Sequence, residues 1–266
     1  DGLVVNALLS EETRPRCDPV GKGLLISLRG INHDPDSEDE DMVSLRLYVD
    51  STRMITTRQR VVRSTNDIAA RLENGTGPID SGDLVTTLAE RLIVRMSQVV
   101  SDLEENVDVL EEELLENAEL SLRGQLMLLR RKAILLRRYL GPQREALHRL
   151  YTDRIEWFSH DHRMQLRETV DQLTRYVEEL DSVRERTAVA YEELTSRLTD
   201  QLNSRMYLLS IITGVFLPLS FITGLLGINV GGIPLASSAW GFAIVVGLLA
   251  LTAIVELIFF KRQHWL

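Results

Sequence analysis

The C-terminal fifth of the chain decides the fold because it is long, apolar and almost free of charge. It reads MYLLSIITGVFLPLSFITGLLGIN over residues 206–229 and WGFAIVVGLLALTAIVELIFF over residues 240–260. No charged residue occurs from Met206 to Val255, and one acid, Glu256, follows near the end of the second run. A helix that spans a bilayer needs about 20 apolar residues, so the sequence predicts two spanning helices.

A tight loop joins the two predicted spans. Residues 228–239 contain Gly231, Gly232 and Pro234, which favour a turn over a helix. Because this loop is short, the spans form a hairpin whose two ends lie on the same side of the membrane.

Flanking charges predict the orientation of the hairpin. Arg197 and Arg205 precede the first span, and Lys261 and Arg262 follow the second. The loop between the spans carries no basic residue. Positive charge favours the cytoplasmic side, so both termini are expected in the cytoplasm and the loop outside.

Composition excludes several classes of protein. The 266-residue chain has a net charge of −9, which argues against nucleic-acid binding. Its single cysteine, Cys17, can form neither an internal disulfide nor a cysteine-based zinc site, and it fits a reducing cytoplasm. No pairing of a nucleophile with a base indicates an enzyme.

Residues 1–80 predict part of an α/β domain. Leu24–Ile31 and Val43–Val49 alternate as strands do, and Arg53–Thr57 is a third candidate strand. An acidic, proline-containing run at residues 34–41 predicts a solvated hairpin loop, and weak collection of cations is the alternative.

The pattern then becomes helical. Leu84–Glu119 carries an apolar stripe whose second half is strongly acidic, and a basic stretch follows at Arg123–Arg138. Ser121–Gly124 predicts a turn between them, which would give an antiparallel hairpin with oppositely charged faces. Gly141-Pro142 predicts a break in the basic helix, because proline removes a donor and clashes with the preceding turn. A further helix is expected to run to about Phe158.

One very long helix is predicted next. From Asp161 to Leu202 apolar residues step mostly by threes and fours, which is near-heptad spacing, and no Gly or Pro intervenes before Gly214. A helix from Asp161 to Gly227 would be about 100 Å long. A monomer of this size cannot bury such a helix, so the pattern predicts packing against copies of the chain.

The predicted fold class is an α+β cytoplasmic domain with a long stalk helix and two C-terminal transmembrane helices. Its parts are a partial N-terminal α/β cytoplasmic domain (1–80), cytoplasmic helical hairpins with the stalk helix (81–205), a first transmembrane helix (206–227), a periplasmic loop (228–239), a second transmembrane helix (240–260) and a cytoplasmic tail (261–266).

One broad face of the first span collects small polar side chains. Polar groups inside a membrane are costly unless they face a bundle interior or water. The alternative is that Ser and Thr bond back to their own helix while small residues allow close packing, and periodicity alone does not decide between the two. Pro218 frees the carbonyl of Gly214, which favours a wet or interhelical face. The residues of this face are Asn203, Met206, Ser210, Thr213, Leu217, Ser220 and Gly224, with Leu209 at its edge.

Candidate zinc ligands in the soluble part are few. Among five histidines only His160 and His162 form a cluster, in Ser159-His160-Asp161-His162. Histidines two apart point to different faces of a helix, but they can converge at a helix start. A solvated helix cap is the alternative, and the sequence predicts no permanently bound cofactor.

Several motifs resemble the CorA superfamily of metal-ion transporters. Gly227-Ile228-Asn229 closes the first of two C-terminal spans, where most members have Gly-Met-Asn. Further motifs resemble the zinc-transporting ZntB branch, and the resemblance covers essentially the whole chain, with the N-terminal portion of the family missing. These motifs are Val230-Gly231-Gly232-Ile233-Pro234, Thr57-Arg58-Gln59-Arg60, Gly75-Thr76-Gly77-Pro78 and Arg137-Arg138-Tyr139 followed by Pro142-Gln143-Arg144.

The resemblance implies a homopentamer in a bacterial inner membrane. Its cytoplasmic domain would be funnel-shaped, the long helix would line a pore, and the second span would face membrane lipid. The transported ion would be Zn²⁺, with Mg²⁺, Co²⁺, Ni²⁺ and Cd²⁺ as further candidates, and coupling of uptake to H⁺ is left open. The implied ion path comprises Asn203, Met206, Leu209, Thr213, Leu217, Ser220, Gly227, Ile228 and Asn229.

The residue types suggest how such a path would treat an ion. A ring of Asn229 amide oxygens can receive a cation that keeps its water, and rings of Met206, Leu209 and Leu217 can gate by dewetting. The span lacks Asp, Glu and His, so it does not favour complete dehydration of Zn²⁺. Glu256 is expected to snorkel to the cytoplasmic surface, with a proton-carrying role as the alternative.

Two rival functions fit the same organisation. The loop between the spans has no Asp or Glu, unlike many magnesium-type relatives, which favours a transporter over a CorA-type Mg²⁺, Co²⁺ or Ni²⁺ channel gated by cytoplasmic metal. A membrane-anchored coiled-coil scaffold that conducts nothing is the second rival.

Overall fold

The computed structural model describes residues 2–10, 14–32, 41–116, 119–228, 233 and 238–262. These residues form two compact units, Asp1–Thr195 and Ser196–Leu266. The elements in chain order are α1 (Gly2–Leu9), β1 (Arg16–Val20), β2 (Gly23–Ile31), β3 (Met42–Val49), β4 (Met54–Arg58), α2 (Arg63–Glu73), α3 (Ser81–Val94), α4 (Ser97–Glu116), α5 (Leu120–Thr152), α6 (His160–Leu226) and α7 (Gly241–Arg262).

The four strands form one antiparallel meander in the order β1-β2-β3-β4. Two of the predicted strands match β2 and β3, and the third matches β4 with bounds shifted by one residue. The β2–β3 hairpin is confirmed by pairing that runs from Leu24 opposite Val49 to Ile31 opposite Met42. The acidic run between these strands lies outside the described residues except for Asp41. The sequence analysis did not identify β1.

A side chain from α5 completes one edge of β2. Strand β1 pairs with Gly23–Ser27, so among the described residues no strand lies beside the other half of that edge. Gln143 is fully buried there. Its Oε1 accepts from the backbone N–H of Arg29 at 2.6 Å, and its Nε2 donates to the Arg29 carbonyl at 3.1 Å. One amide thereby replaces the strand that would otherwise satisfy this peptide group.

The predicted break at Gly141-Pro142 is wrong, because α5 runs through Pro142 to Thr152. Buried residues continue on both sides of the proline, from Leu136 and Leu140 to Leu147. Packing of this face outweighs the lost hydrogen bond, which is the usual way in which tertiary contacts override propensity. The further helix that was expected to run to about Phe158 is the last part of α5, which ends at Thr152.

Two other helix boundaries differ from expectation. The turn predicted at Ser121–Gly124 is wrong, because these residues are helical in α5, which begins at Leu120. The single helix predicted over Leu84–Glu119 is divided into α3 and α4 at Arg95 and Met96. The hydroxyl of Ser97 donates to the Val94 carbonyl at 2.8 Å, which satisfies one of the carbonyls freed at this break.

The long helix is confirmed as α6, which has 67 residues without interruption. Within the first unit, its buried stripe runs from Leu166 to Leu194. Charged residues of α4 and α5, which were predicted to face each other, form ion pairs with α6. Arg186 of α6 binds Glu111 and Asp108, hydrogen bonds that raise the pKa of its guanidinium. The pair between Arg137 and Asp181, at 2.6 Å, ties α5 to the same helix.

The Gln143 contact generates a test of the fold. We expect Gln143→Leu to lower the free energy of unfolding by about 2–4 kcal/mol, because it strands a buried donor and a buried acceptor on Arg29. The matched control is Gln98→Leu, since Gln98 makes an exposed hydrogen bond to Asp102. Thermal unfolding of the purified protein in detergent measures both. Equal midpoints for the two variants would contradict this account of the sheet edge.

Candidate functional site

Two helices of the second unit are long and apolar enough to cross a membrane. They are α7 and the C-terminal part of α6, and the apolar window of each is exposed in the chain. An apolar core helix of a soluble protein would be buried, so these two windows have the surface that a bilayer requires. The two predicted spans at 207–227 and 240–260 therefore correspond to observed helices.

Helix α7 covers one face of the apolar part of α6. Partly buried residues recur every three or four positions on both helices, which defines a stripe on each. On α6 this stripe is Ile211, Gly214, Val215, Pro218, Leu219, Ile222 and Leu226. On α7 it is Gly241, Val245, Leu249, Thr252, Ala253, Glu256 and Phe260. We call these two stripes the hairpin interface.

Gly214 leaves room for an aromatic ring of α7 at the end of this interface that is predicted to lie toward the cytoplasm. A Cβ added to Gly214 would lie 2.9 Å from Cζ of Phe260, which is closer than real Cβ contacts allow. Phe260 is the one described residue of α7 that is buried. Small residues at helix contacts in membranes act in this way by letting backbones approach.

The predicted ion path lies on the other side of α6. At about 100° per residue, the centre of the path residues is about 180° from the centre of the hairpin interface. Met206 is 63%, Leu209 60% and Leu217 67% exposed. The remaining described residues of the predicted path are exposed as well: Asn203, Thr213, Ser220, Gly227 and Ile228. The structure therefore places Asn203, Met206, Leu209, Thr213, Leu217 and Ser220 on one uncovered face of α6. Gly227 and Ile228 follow the end of that helix, and Asn229 lies outside the described residues.

The hydroxyl residues of the apolar part of α6 are also uncovered. Ser210, Thr213, Ser220 and Thr223 are all exposed, and none belongs to the hairpin interface. Ser210 and Thr213 each donate to a carbonyl one turn earlier at 2.8 Å, and Thr223 does so at 3.0 Å. These hydrogen bonds to the backbone use the hydroxyl protons of Ser210, Thr213 and Thr223, but each oxygen keeps lone pairs that can accept from water.

The two histidines singled out in the sequence stand at the start of α6. Nδ1 of His162 accepts from the backbone N–H of Ser159 at 3.2 Å, and its Nε2 lies 3.5 Å from Oδ1 of Asp80. Both ring nitrogens therefore face protein groups, whereas His160 is exposed. Over the described part of the chain, no three His, Cys, Asp or Glu residues form a group that could hold a metal ion.

Sequence reasoning gave too little weight to Glu256. Its Oε2 is buried and has no hydrogen-bond partner among the described residues, instead of reaching the membrane surface. The signal that could have found it is its place in the pattern: Glu256 follows Thr252 and precedes Phe260 at four-residue spacing on the face that packs on α6.

The fold and this helix hairpin define a membrane protein with a soluble α+β unit and an uncovered, hydroxyl-bearing helix face. A family model described as "CorA-like Mg2+ transporter protein" matches residues 1–262. The chain belongs to this family of transporters.

Individual relatives agree with that assignment. The chain is 37% identical over 264 residues to the zinc transport protein ZntB of Yersinia enterocolitica, covering 99% of this chain and 80% of the relative. It is 43% identical over 262 residues to the divalent cation transporter CmaX of Pseudomonas aeruginosa, covering 97% and 79%. The solved structure of full-length CmaX superposes with a TM-score of 0.86 at 40% identity, covering all of this chain and 82% of that one. The CorA-like fold and the ZntB branch expected from the motifs are confirmed.

The contact between Gly214 and Phe260 gives a matched test of the hairpin interface. We expect Gly214→Ala to lower the thermal stability of the purified protein by several degrees, because the added methyl group forces the Phe260 ring away. Gly247→Ala is the control, since nothing lies within 4 Å of a Cβ there. Should both variants melt at the same temperature, the close packing at Gly214 would be disproved.

Proposed function

We propose that the chain transports Zn²⁺ across the bacterial inner membrane through a path lined by α6 helices of a homopentamer. The observation that supports this proposal is the uncovered side of α6, which carries six of the predicted path residues and the four hydroxyl residues of its apolar part. Both termini would face the cytoplasm, as the flanking basic residues favour.

The two sides of the helix hairpin differ in their chemistry. Exposed side chains of α7 are almost entirely apolar and suit lipid: Phe242, Ile244, Val246, Leu248, Leu251, Ile254, Val255, Leu257, Ile258 and Phe259. The uncovered face of α6 carries hydroxyl oxygens that can still accept hydrogen bonds, which water can donate and lipid tails cannot. Identical copies arranged around an axis can turn this face inward toward water, and closed cyclic assemblies are the usual solution.

The chemistry of that face suits an ion that keeps its water shell. Thr213 and Ser220 offer neutral oxygens, and Asn229 would add amide oxygens at the outer mouth. Neutral dipoles of this kind can hold a hydrated cation without replacing its first shell. Met206, Leu209 and Leu217 would form apolar constrictions in the assembled ring.

The choice of Zn²⁺ rests on relatives rather than on the geometry. The Yersinia enterocolitica relative is named a zinc transport protein, and the Pseudomonas aeruginosa relative a divalent cation transporter. Mg²⁺, Co²⁺, Ni²⁺ and Cd²⁺ are therefore the other substrates to test. The second candidate function is a Mg²⁺ channel gated by cytoplasmic metal, which the description of the family model favours.

Flux into proteoliposomes tests the function directly. We expect Zn²⁺ to enter vesicles that hold the purified protein and a trapped zinc-sensitive dye. Asn229→Ala should reduce this flux about tenfold, the equivalent of ~1.4 kcal/mol of lost interaction at the outer mouth. Ser238→Ala, in the same loop, should leave it unchanged. Mg²⁺ flux that cytoplasmic-side Mg²⁺ shuts off would favour the channel. If intact pentamers pass neither ion, the remaining candidate is a membrane-anchored scaffold that conducts nothing.

The position of the path is tested by thiol labelling, because the one native cysteine is protected. Cys17 is buried, and burial, with a smaller contribution from Asp153, raises its pKa to about 12, so it stays a thiol at neutral pH. We expect a bulky cationic thiol reagent to block flux through Thr213→Cys. Leu251→Cys, on the exposed side of α7 that would face lipid, should keep its flux, because a cationic reagent does not reach a thiol among lipid tails. Block of both variants, or of Leu251→Cys alone, would contradict the proposed lining.

A further inference from the structure

Helices α4 and α5 share a face that nothing else in the described part of the chain covers. Their buried stripes, Val100 to Leu114 and Leu122 to Leu140, point into the first unit. At about 100° per residue, the side chains opposite these stripes form an outward ridge on each helix. The α4 ridge is Gln98, Ser101, Glu105, Val109, Glu112 and Glu116. The α5 ridge is Leu120, Gly124, Met127, Arg131, Ile134 and Arg138. All of these residues are exposed, and we call the two ridges together the outer face.

The two ridges carry opposite charge. Glu105, Glu112 and Glu116 make the α4 ridge acidic, whereas Arg131 and Arg138 make the α5 ridge basic. The ion pairs that α4 and α5 form with α6 use other side chains, which belong to neither ridge. The charges of the outer face therefore point away from the core of the first unit.

Apolar side chains lie between these charges. Val109 of α4 is 48% exposed, and Met127 of α5 is 49% exposed. The α5 ridge also borders a groove of about 660 Å³ that Gly124, Met127 and Ile134 help to line. Apolar side chains that share one exposed face and are rimmed by charges mark a surface that binds a protein partner.

The register of the two helices sets complementary residues at the same height. The helices are antiparallel, since Glu116 and Ser121 line one cleft near their connection, and Leu103 and Lys132 line another further along. Glu105, two residues after Leu103, is therefore level with about residue 130, beside Arg131. By the same count, Val109 is level with about residue 126, beside Met127.

A second copy of the chain matches the outer face in both charge and shape. A two-fold axis parallel to the helices sets α4 of one copy opposite α5 of the other and keeps their heights. Glu105 then meets Arg131 of the second copy, Val109 meets its Met127, and each contact occurs twice. An axis perpendicular to the helices would set α4 against α4 and bring glutamates together, which is unfavourable.

We propose that two copies of the chain pair through the outer face, with the acidic α4 ridge of each on the basic α5 ridge of the other. Both ridges lie on the same side of the first unit, which suits a two-fold contact. A head-to-tail ring needs complementary patches on different sides. The pairing is therefore separate from the proposed ring around an ion path, and it joins copies that belong to different rings. It goes beyond the proposed function and does not depend on it.

The size of the outer face predicts a reversible contact. The 20 residues of α4 extend about 30 Å, and two neighbouring helices are about 20 Å wide, so pairing buries about 600 Å² on each copy. The total of about 1,200 Å² is at the lower end for specific protein–protein interfaces. We therefore expect pairing to depend on protein concentration.

Charge reversal tests the pairing in the full-length protein in detergent. Analytical ultracentrifugation of the wild type should show, on concentration, a particle of twice the mass seen on dilution. Arg131→Glu and Glu105→Arg should each lower the paired fraction about tenfold, because each sets like charges opposite one another. An equal mixture of the two variants should restore pairing, since each contact between them again joins an acid to a base. Arg63→Glu, at an exposed position of α2, should pair as the wild type does.

Disulfide formation tests the register of the contact. A disulfide requires two Cα atoms within about 7 Å of each other. Val109→Cys protein mixed with Met127→Cys protein, each with a tag of different size, should give the mixed disulfide about tenfold faster than Ile79→Cys with Met127→Cys. Ile79 is the matched control because it is 90% exposed and lies outside the outer face. The native Cys17 is buried and does not compete.

Each contrary result overturns the pairing. A wild type whose mass does not rise with concentration removes the contact. A mixture of the charge-reversed variants that pairs no better than either alone removes the proposed arrangement of ridges. If lipid vesicles protect Met127→Cys from a water-soluble thiol reagent and no mixed disulfide forms, the outer face binds lipid instead. None of these results depends on Zn²⁺ flux, so a failure of the pairing is distinguishable from a failure of the proposed function.

Discussion

The packing of α7 against one side of α6 is the constraint on which the membrane unit depends. Lipid offers no hydrogen-bond partners, so both segments must be helices that satisfy their own backbone groups. Because α7 is a single helix, it can cover only one side of α6. Gly214 and Phe260 bring the two helices close on that side. The hydroxyl groups of α6 are left on the other side, and this division is the reason why we propose that several chains assemble around a path.

The first unit, Asp1–Thr195, is stabilised by a different set of interactions. Its sheet is a meander of neighbouring strands, so most of its pairing is local. Long-range order comes from α5 and α6, whose buried stripes close the core. The charges of α4 and α5 that join α6 are partly exposed, and such pairs contribute only about 0–1 kcal/mol each. They fix which residues of the helices meet, while apolar burial supplies the stability.

Sequence reasoning succeeded where one physical signal dominates. Alternation identified β2 and β3, and the long uncharged runs identified both spans, because nothing else in the chain competes with those patterns. It failed at Pro142, because the burial of apolar residues on both sides of the proline outweighs the helical hydrogen bond that proline removes. The face of α6 that carries the path residues can be predicted from periodicity. The face that contacts α7 cannot, since the register of α7 depends on the fit between Gly214 and Phe260. The inward direction of Glu256 was missed for the same reason.

The amide of Gln143 has a consequence for the order of events during synthesis. The strand edge that it covers belongs to Arg29, which is 114 residues earlier in the chain. A bacterial ribosome adds about 5–20 residues per second, so this edge emerges roughly ten seconds before its cover exists. An uncovered strand edge is a template for pairing with other chains. During synthesis there is therefore an interval in which this strand has emerged and the amide that covers its edge has not.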